Sequence, residues 1–188
     1  MKKIFFDLGA GVKNSEAWCK DLWKDYIIIG VEPDLTRYNE LKDIFPGKLL
    51  NLAISDKEEE ISGIIHDTSG FIVGGYPGYN KFIKIKAVTL DSIYKQYFNP
   101  EEISEIAIWA DIEGSELRML RGATEVLKKT DWINIELHTH PQTDEWCNSS
   151  DVYKFLEKLG FKTETKEKPY TPYHDSCYDS LFIRNIKK

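Results

Sequence analysis

Ile4-Phe5-Phe6-Asp7-Leu8-Gly9-Ala10-Gly11 runs from three apolar residues straight into a turn with glycines two apart. An apolar run this short reads as a buried strand, and the glycines allow a tight turn with close backbone approach to a neighbour or ligand. Working outward, the next element is a helix over about residues 15–24, followed by the β-branched run Tyr26-Ile27-Ile28-Ile29-Gly30-Val31. Pro33 suits a first helical turn, with Leu35, Tyr38, Leu41 and Phe45 on one face and Pro46-Gly47 as the stop. Leu49 to Ile54 gives a third strand, Ile106 to Ala110 a fourth and Trp132 to Leu137 a fifth. Strands alternating with helices imply a mostly parallel α/β sheet with helices on both faces and right-handed crossovers.

Other segments fill the intervals. Ser55 to Lys86 carries six Gly and Pro residues between short β-like pieces and reads as hairpins or a mobile loop. Asp91 to Tyr97 reads as a short helix. Leu117, Leu120, Ala123 and Leu127 share the face of another. Val152, Phe155, Leu156 and Leu159 repeat at helical spacing after Ser150 or Asp151 as N-cap, with Gly160 at the C-terminal end. Phe161 to Thr165 and Ser180 to Arg184 are expected as a closing antiparallel strand pair.

The chain of 188 residues is the size of one domain, taken here as 1–188. Its 31 acidic against 25 basic residues give a net charge of −6, which disfavours a nucleic-acid partner. Asp7 interrupts the first apolar run, so neither a signal peptide nor a membrane partner is expected. Cys19, Cys147 and Cys177 are odd in number and far apart, which reads as reduced thiols in a cytoplasmic protein.

In a sheet of this kind ligands bind beyond the carboxyl ends of the strands. That directs attention to Asp7, Gly9, Ala10 and Gly11, then Glu32, Asn51 to Ala53, Asp111, and Glu136 to His140. Glu32 ends the second strand 21 residues after Gly11, where a carboxylate can accept from both hydroxyls of a ribose. Asp7 decides which nucleoside. It would repel the pyrophosphate of NAD at a glycine-rich turn, and the third glycine of a dinucleotide fingerprint is missing. S-adenosyl-L-methionine carries an ammonium and a sulfonium instead, which a carboxylate attracts. Lys13 leaves NAD as the second choice, because it offers a phosphate a counter-charge.

Asp111-Ile112-Glu113-Gly114 follows the fourth strand and admits two readings. In one, Asp111 caps the next helix and Glu113 complements its dipole. In the other, Asp111 faces the sulfonium or the acceptor hydroxyl. Glu136, His138 and His140 alternate along the fifth strand and share a face. They have metal-ligand chemistry but not the spacing of a zinc signature, so no metal is assigned, and His138 is read as a base or acceptor-binding group. His66 and His174 have no argued partner. Aromatics in Gly70 to Tyr79 and in Tyr170 to His174 could stack on a sugar, although packing within their own loops is the commoner outcome.

Asp7-Leu8-Gly9-Ala10-Gly11, Val31-Glu32-Pro33, Ala53-Ile54-Ser55-Asp56, Thr89-Leu90-Asp91, Asp111-Ile112-Glu113-Gly114-Ser115-Glu116, Leu120-Arg121-Gly122-Ala123 and Ile135-Glu136-Leu137-His138 occur in this order. In that order they resemble the FkbM family of class I S-adenosylmethionine-dependent methyltransferases, from about Phe5 to Arg184. The resemblance implies a Rossmann-like methyltransferase fold and O-methylation of a hydroxyl on a sugar, glycan or small metabolite. It places Asp7, Gly9, Ala10, Gly11, Glu32, Asn51, Ala53 and Asp111 at the cofactor, and Asp111, Glu113 and His138 near the reaction. Two departures stand out: Lys13 replaces a third glycine, and the chain opens at the first strand where relatives often carry a covering helical segment. They imply weaker cofactor binding or a cover from a partner subunit, with assembly as a homo-oligomer left open. They also motivate the alternative of an inactive nucleoside-binding subunit.

Overall fold

The computed structural model describes residues 1–12, 23–67, 69–138, 146–166 and 177–184. Residues 15–22 of the helix expected over 15–24 lie outside them, and its last two, Trp23 and Lys24, belong to a 3-10 turn; Lys13, Cys19, His140 and the 170–174 loop also lie outside.

The first strand, β1 (Lys2–Leu8), is central because Ile4, Phe5, Phe6 and Leu8 are apolar on both faces of the pleat. It pairs in parallel with β2 (Ile27–Val31) on one side and β8 (Ile103–Ala110) on the other. β3 (Lys48–Leu50) extends the sheet beyond β2, and β9 (Thr130–His138) extends it beyond β8, both in parallel. β11 (Cys177–Ile183) then pairs antiparallel with β9, and β10 (Lys162–Lys166) antiparallel with β11, as expected for the chain's end. The order is β10-β11-β9-β8-β1-β2-β3. The chain reverses its direction of travel across the sheet between β1 and β8, which creates the switch point where open α/β sheets bind ligands.

Alternation along the strands divides the core. Ile4, Phe6, Leu8, Ile106, Ile108, Ile133 and Ile135 face one side. There they meet α2 (Leu90–Tyr97), α3 (Glu116–Arg121), α4 (Thr124–Lys128) and α5 (Ser149–Lys158). Phe5, Ile28, Ala107 and Trp109 face the other, against Tyr26, Trp132 and Phe45 from just beyond α1 (Leu35–Leu41). Among the described residues no helix is long and apolar enough to cross a membrane.

Three expectations are corrected. The strand expected over 49–54 is two: β3 stays in the main sheet, while β4 (Ala53–Ile54) leaves it. β4 joins β5 (Glu59–His66), β6 (Gly70–Val73) and β7 (Ile83–Val88) in a second, four-stranded sheet, so of the two readings of the glycine-rich stretch the hairpin holds, at β5–β6, rather than the mobile loop. The sheet's apolar face, Ala53, Ile61, Phe71, Val73 and Ala87, is what fixes it. The helix expected through 117–127 breaks at Gly122-Ala123 into α3 and α4. The last helix takes Asn148 as its N-cap residue, ahead of Ser150 and Asp151.

Thr89-Leu90-Asp91 has a structural job. Thr89 caps α2 by accepting from the Ser92 N–H at 3.0 Å. Asp91 reaches over to α4, where its carboxylate accepts from the N–H groups of Glu125 and Val126, both at 2.9 Å, and from the Thr124 hydroxyl at 2.8 Å. One carboxylate thus satisfies several orphan donors of a neighbouring helix. Asp91→Ala is expected to cost about 2 kcal/mol. In urea denaturation the midpoint should fall with the slope unchanged; an unmoved midpoint would show that solvent caps α4 equally well.

Candidate active site

The turn after β1 is built on contacts that exclude side chains. Gly9 has φ +84°, and a Cβ placed there would overlap the carbonyl oxygen of Asp111 at the end of β8. The backbone is tied on both sides: Gly9 N–H donates to Val31 at 2.9 Å and Asp111 N–H to Leu8 at 2.9 Å. A Cβ at Gly11 would meet the Glu32 carboxylate, so a side chain there would displace that group, whereas at Gly9 the backbone itself excludes one.

A cleft of about 510 Å³, measured out to its open mouth, lies where these ends meet. Of the residues singled out from the sequence, Gly9, Glu32, Ala53, Asp111 and Glu113 line it. Asp7, Ala10, Gly11 and Asn51 do not. Asp7 and Ala10 are buried, and Gly11 directs its N–H to Glu32. Asn51 braces the end of β2 by donating to the carbonyls of Glu32 at 2.9 Å and Pro33 at 3.1 Å. The structure adds Arg37 and Ser69 to the wall, with the apolar Ile54, Ile61, Phe71 and Val73. Sequence reading missed these because Arg37 is one polar residue among many on α1 and the others belong to the second sheet.

Glu32 is 3% exposed and its Oε1 accepts from the Asp34 N–H at 2.7 Å. Burial lifts its pKa to about 7, although hydrogen bonds from Asp34 and Gly11 and the charge of Arg37 pull the other way. In the same cleft, burial and the neighbouring Asp111 lift Glu113 to about 8 against a hydrogen bond with Ser69. Glu113 also has φ +49°, the only non-glycine in the left-handed region among the described residues. Backbone held there against its preference is common at functional sites.

The helix-cap reading of Asp111 and Glu113 is overturned. α3 begins only at Glu116, behind Ser115, so neither acid lies in its first turn. Glu116 does, accepting from Gly114 N–H at 3.0 Å and from the Cys147 thiol at 3.4 Å. Burial raises Glu116 to about 7 and Cys147 to about 12, so the thiol stays protonated.

His138 ends β9 beside this wall, with Nε2 3.7 Å from Glu113 Oε2 and 3.9 Å from Glu136 Oε2. Its ring packs on Trp146 with centroids 4.4 Å apart. Burial lowers its pKa to about 4, so it is a neutral imidazole and a weaker base than an ordinary histidine. His66 packs with Tyr76 and Tyr79, ring centroids 4.9 and 5.0 Å away, so these aromatics fill their own hairpin.

The mostly parallel sheet, its strand order and its antiparallel closing pair are those of a Rossmann-like methyltransferase fold. The chain belongs to the methyltransferase FkbM domain family, whose model matches residues 7–163, and the family's methyl donor is S-adenosylmethionine. Among solved structures, the fibrillarin/Nop5p complex aligns with TM-score 0.52 at 15% identity over 97% of this chain and 72% of that one, which supports the fold. A precorrin-6y C5,15-methyltransferase from Geobacter metallireducens GS-15 aligns at 0.49 and 11% identity, over 98% and 82% of the two chains. A magnesium protoporphyrin IX methyltransferase from Synechocystis PCC 6803 with bound SAM aligns at 0.47 and 7%, over 98% and 71%. No curated protein matches the chain.

The buried carboxyls make ligand-free stability depend on pH. Glu32 and Glu116 are at about 7 and Glu113 at about 8 in the fold against 4.5 for an ordinary glutamate, so the folded state holds more protons between these values. Their stabilisation is present at low pH and is lost as pH rises through 7 and 8. His138, at about 4 in the fold, opposes this only weakly above its ordinary 6.5. From pH 6.5 to 8.5 stability should therefore fall by roughly 3 kcal/mol, or about 6–12 °C in melting temperature. A melting temperature that rises over this interval would contradict the burial of these three groups.

Proposed function

We propose that the cleft binds S-adenosyl-L-methionine and that the protein methylates a hydroxyl of a sugar, glycan or other small metabolite. The observation that carries this reading is a single cleft lined by Gly9 and Glu32, at the ends of β1 and β2, together with Asp111 and Glu113 after β8. A cleft with these carboxylates suits a cationic nucleoside and repels a pyrophosphate, which also argues against NAD. Ile54, Ile61, Phe71 and Val73 offer the adenine an apolar wall. Glu32 takes the ribose hydroxyls. The N–H groups of Gly11 and Asp34 hold that carboxylate in place, and Asn51 braces the backbone behind it.

When bound, the cofactor supplies an electrophilic methyl group on a sulfonium, which leaves as a neutral thioether. The remaining task is alignment and removal of the hydroxyl proton. Asp111 faces the cleft and serves no helix as a cap, which suits it to orient the acceptor and accept that proton. Glu113 and His138 complete the acceptor end. The half-buried, protonated Cys147 accords with a cytoplasmic setting.

Two variants separate binding from chemistry. Glu32→Ala should keep its fold and lose on the order of 1.5–3 kcal/mol in affinity for S-adenosylhomocysteine, measured by titration calorimetry. Unchanged affinity in a folded variant would move the ribose elsewhere. Asp111→Asn, nearly the same shape, should melt like the parent. It should transfer methyl at least tenfold more slowly, a barrier increase of about 1.4 kcal/mol, in a radiolabelled-methyl screen of hydroxylated sugars. Transfer at the parent rate would remove Asp111 from the reaction.

A further inference from the structure

We propose that Glu113, Glu136 and His138 form a binding site for one divalent cation of the manganese-to-zinc class, at the end of the cleft where Glu113 meets β9. The three side chains offer one ligand atom each, and these atoms lie within 4.8 Å of one another. His138 Nε2 is 3.7 Å from Glu113 Oε2 and 3.9 Å from Glu136 Oε2, too far for hydrogen bonds. Around an ion with bonds of about 2.1 Å, tetrahedral ligand atoms stand about 3.4 Å apart, so small side-chain movements would close the set.

The second observation is independent of the acids. His138 is only 6% exposed, yet neither ring nitrogen has a hydrogen-bond partner among the described residues. A buried polar atom without a partner costs on the order of 1–3 kcal/mol, and a ligand that engages it removes that penalty. The ring is already oriented for this by its packing on Trp146. An imidazole with two carboxylates is a nitrogen–oxygen donor set, which suits manganese, iron or zinc. It disfavours the thiolate-seeking metals, since the Cys147 sulfur is engaged by Glu116 instead. The positive φ of Glu113 serves the same end, because it turns a carboxylate back toward β9 from a loop that leaves β8.

Three protein ligands leave open coordination positions. Glu113 lines the cleft as well as the cluster, so those positions border the space assigned to the acceptor, a role that rests on the methyltransferase reading. A cation there would hold an acceptor oxygen and ease loss of its proton. Binding of the ion itself does not depend on that reading.

The test uses the full chain stripped with a chelator and titrated with Mn²⁺, following the loss of the free-ion signal by electron paramagnetic resonance. One equivalent should bind, and Zn²⁺ should displace it. Glu136→Gln and His138→Gln should each raise the Mn²⁺ dissociation constant at least tenfold. S-adenosylhomocysteine affinity should stay within twofold of the parent in Glu136→Gln, which shows that its cleft is intact. No stoichiometric binding, or binding that survives both substitutions, overturns the site. Should His138→Gln fail to fold, the half-buried Glu136 decides alone. Mn²⁺ binding without S-adenosylhomocysteine binding would sink the methyltransferase reading and leave the cation site standing.

Discussion

The ends of β1 and β8 approach so closely that no side chain fits between them, and the whole site follows from that approach. Gly9 must be a glycine because the Asp111 carbonyl occupies the place of its Cβ. With the gap closed, β1 is tied to Val31 on one flank and to Asp111 on the other. Glu32 and Asp111 then emerge from the strand ends on either side of β1, with their separation set by backbone hydrogen bonds rather than by flexible loops. The second glycine repeats the device one step along, letting the Gly11 N–H reach the Glu32 carboxylate. Such a site is organised before a ligand arrives, so binding need not meet the cost of ordering it.

The same geometry creates an electrostatic tension. Glu32, Asp111 and Glu113 line one cleft with a single arginine, Arg37, among its lining residues. Burial, joined at Glu113 by repulsion from Asp111, leaves Glu32 and Glu113 partly protonated near neutral pH. A ligand carrying positive charge relieves that tension and is bound more tightly for it, while an anion deepens it. The fold is thus less stable in its free state than its apolar core alone would make it. That is the usual trade between stability and a prepared site.

Much of the main sheet was legible because its strands are short apolar runs bounded by glycine, proline or an acid. Ile4 to Gly11 and the run ending at Glu32 needed no tertiary information. The second sheet was not legible. Its strands are short, and its apolar face is split among Ala53, Ile61, Phe71, Val73 and Ala87, with no local period to announce it. Glycine and proline along that stretch signal turns, and turns do not say what they connect. For the same reason the reading found Glu32 and Asp111 but missed Arg37 and Ser69. Strand ends can be counted from sequence, whereas walls contributed by another layer cannot. The sequence left a helix cap open as one of two readings of Asp111 for a related reason, since the positive φ at Glu113 leaves no compositional trace.

The second sheet also explains how a flat rim becomes a cleft. The carboxyl ends of parallel strands present a line of backbone and side chains open to water. β4 leaves the main sheet after β3 and draws the β5–β6 hairpin alongside. Ile61 and Phe71 then face the glycine turn across a gap. Arg118 on α3 anchors this layer from the other side through Glu59 at 3.3 Å and Asp56 at 4.0 Å. The loop between β8 and α3 is therefore held at both ends, by Gly9 beneath it and by the second sheet beyond it. A strained Glu113 can persist in such a loop because relaxing its φ would disturb both contacts at once. The site's least favourable backbone and its closest backbone contact are thus parts of one constraint.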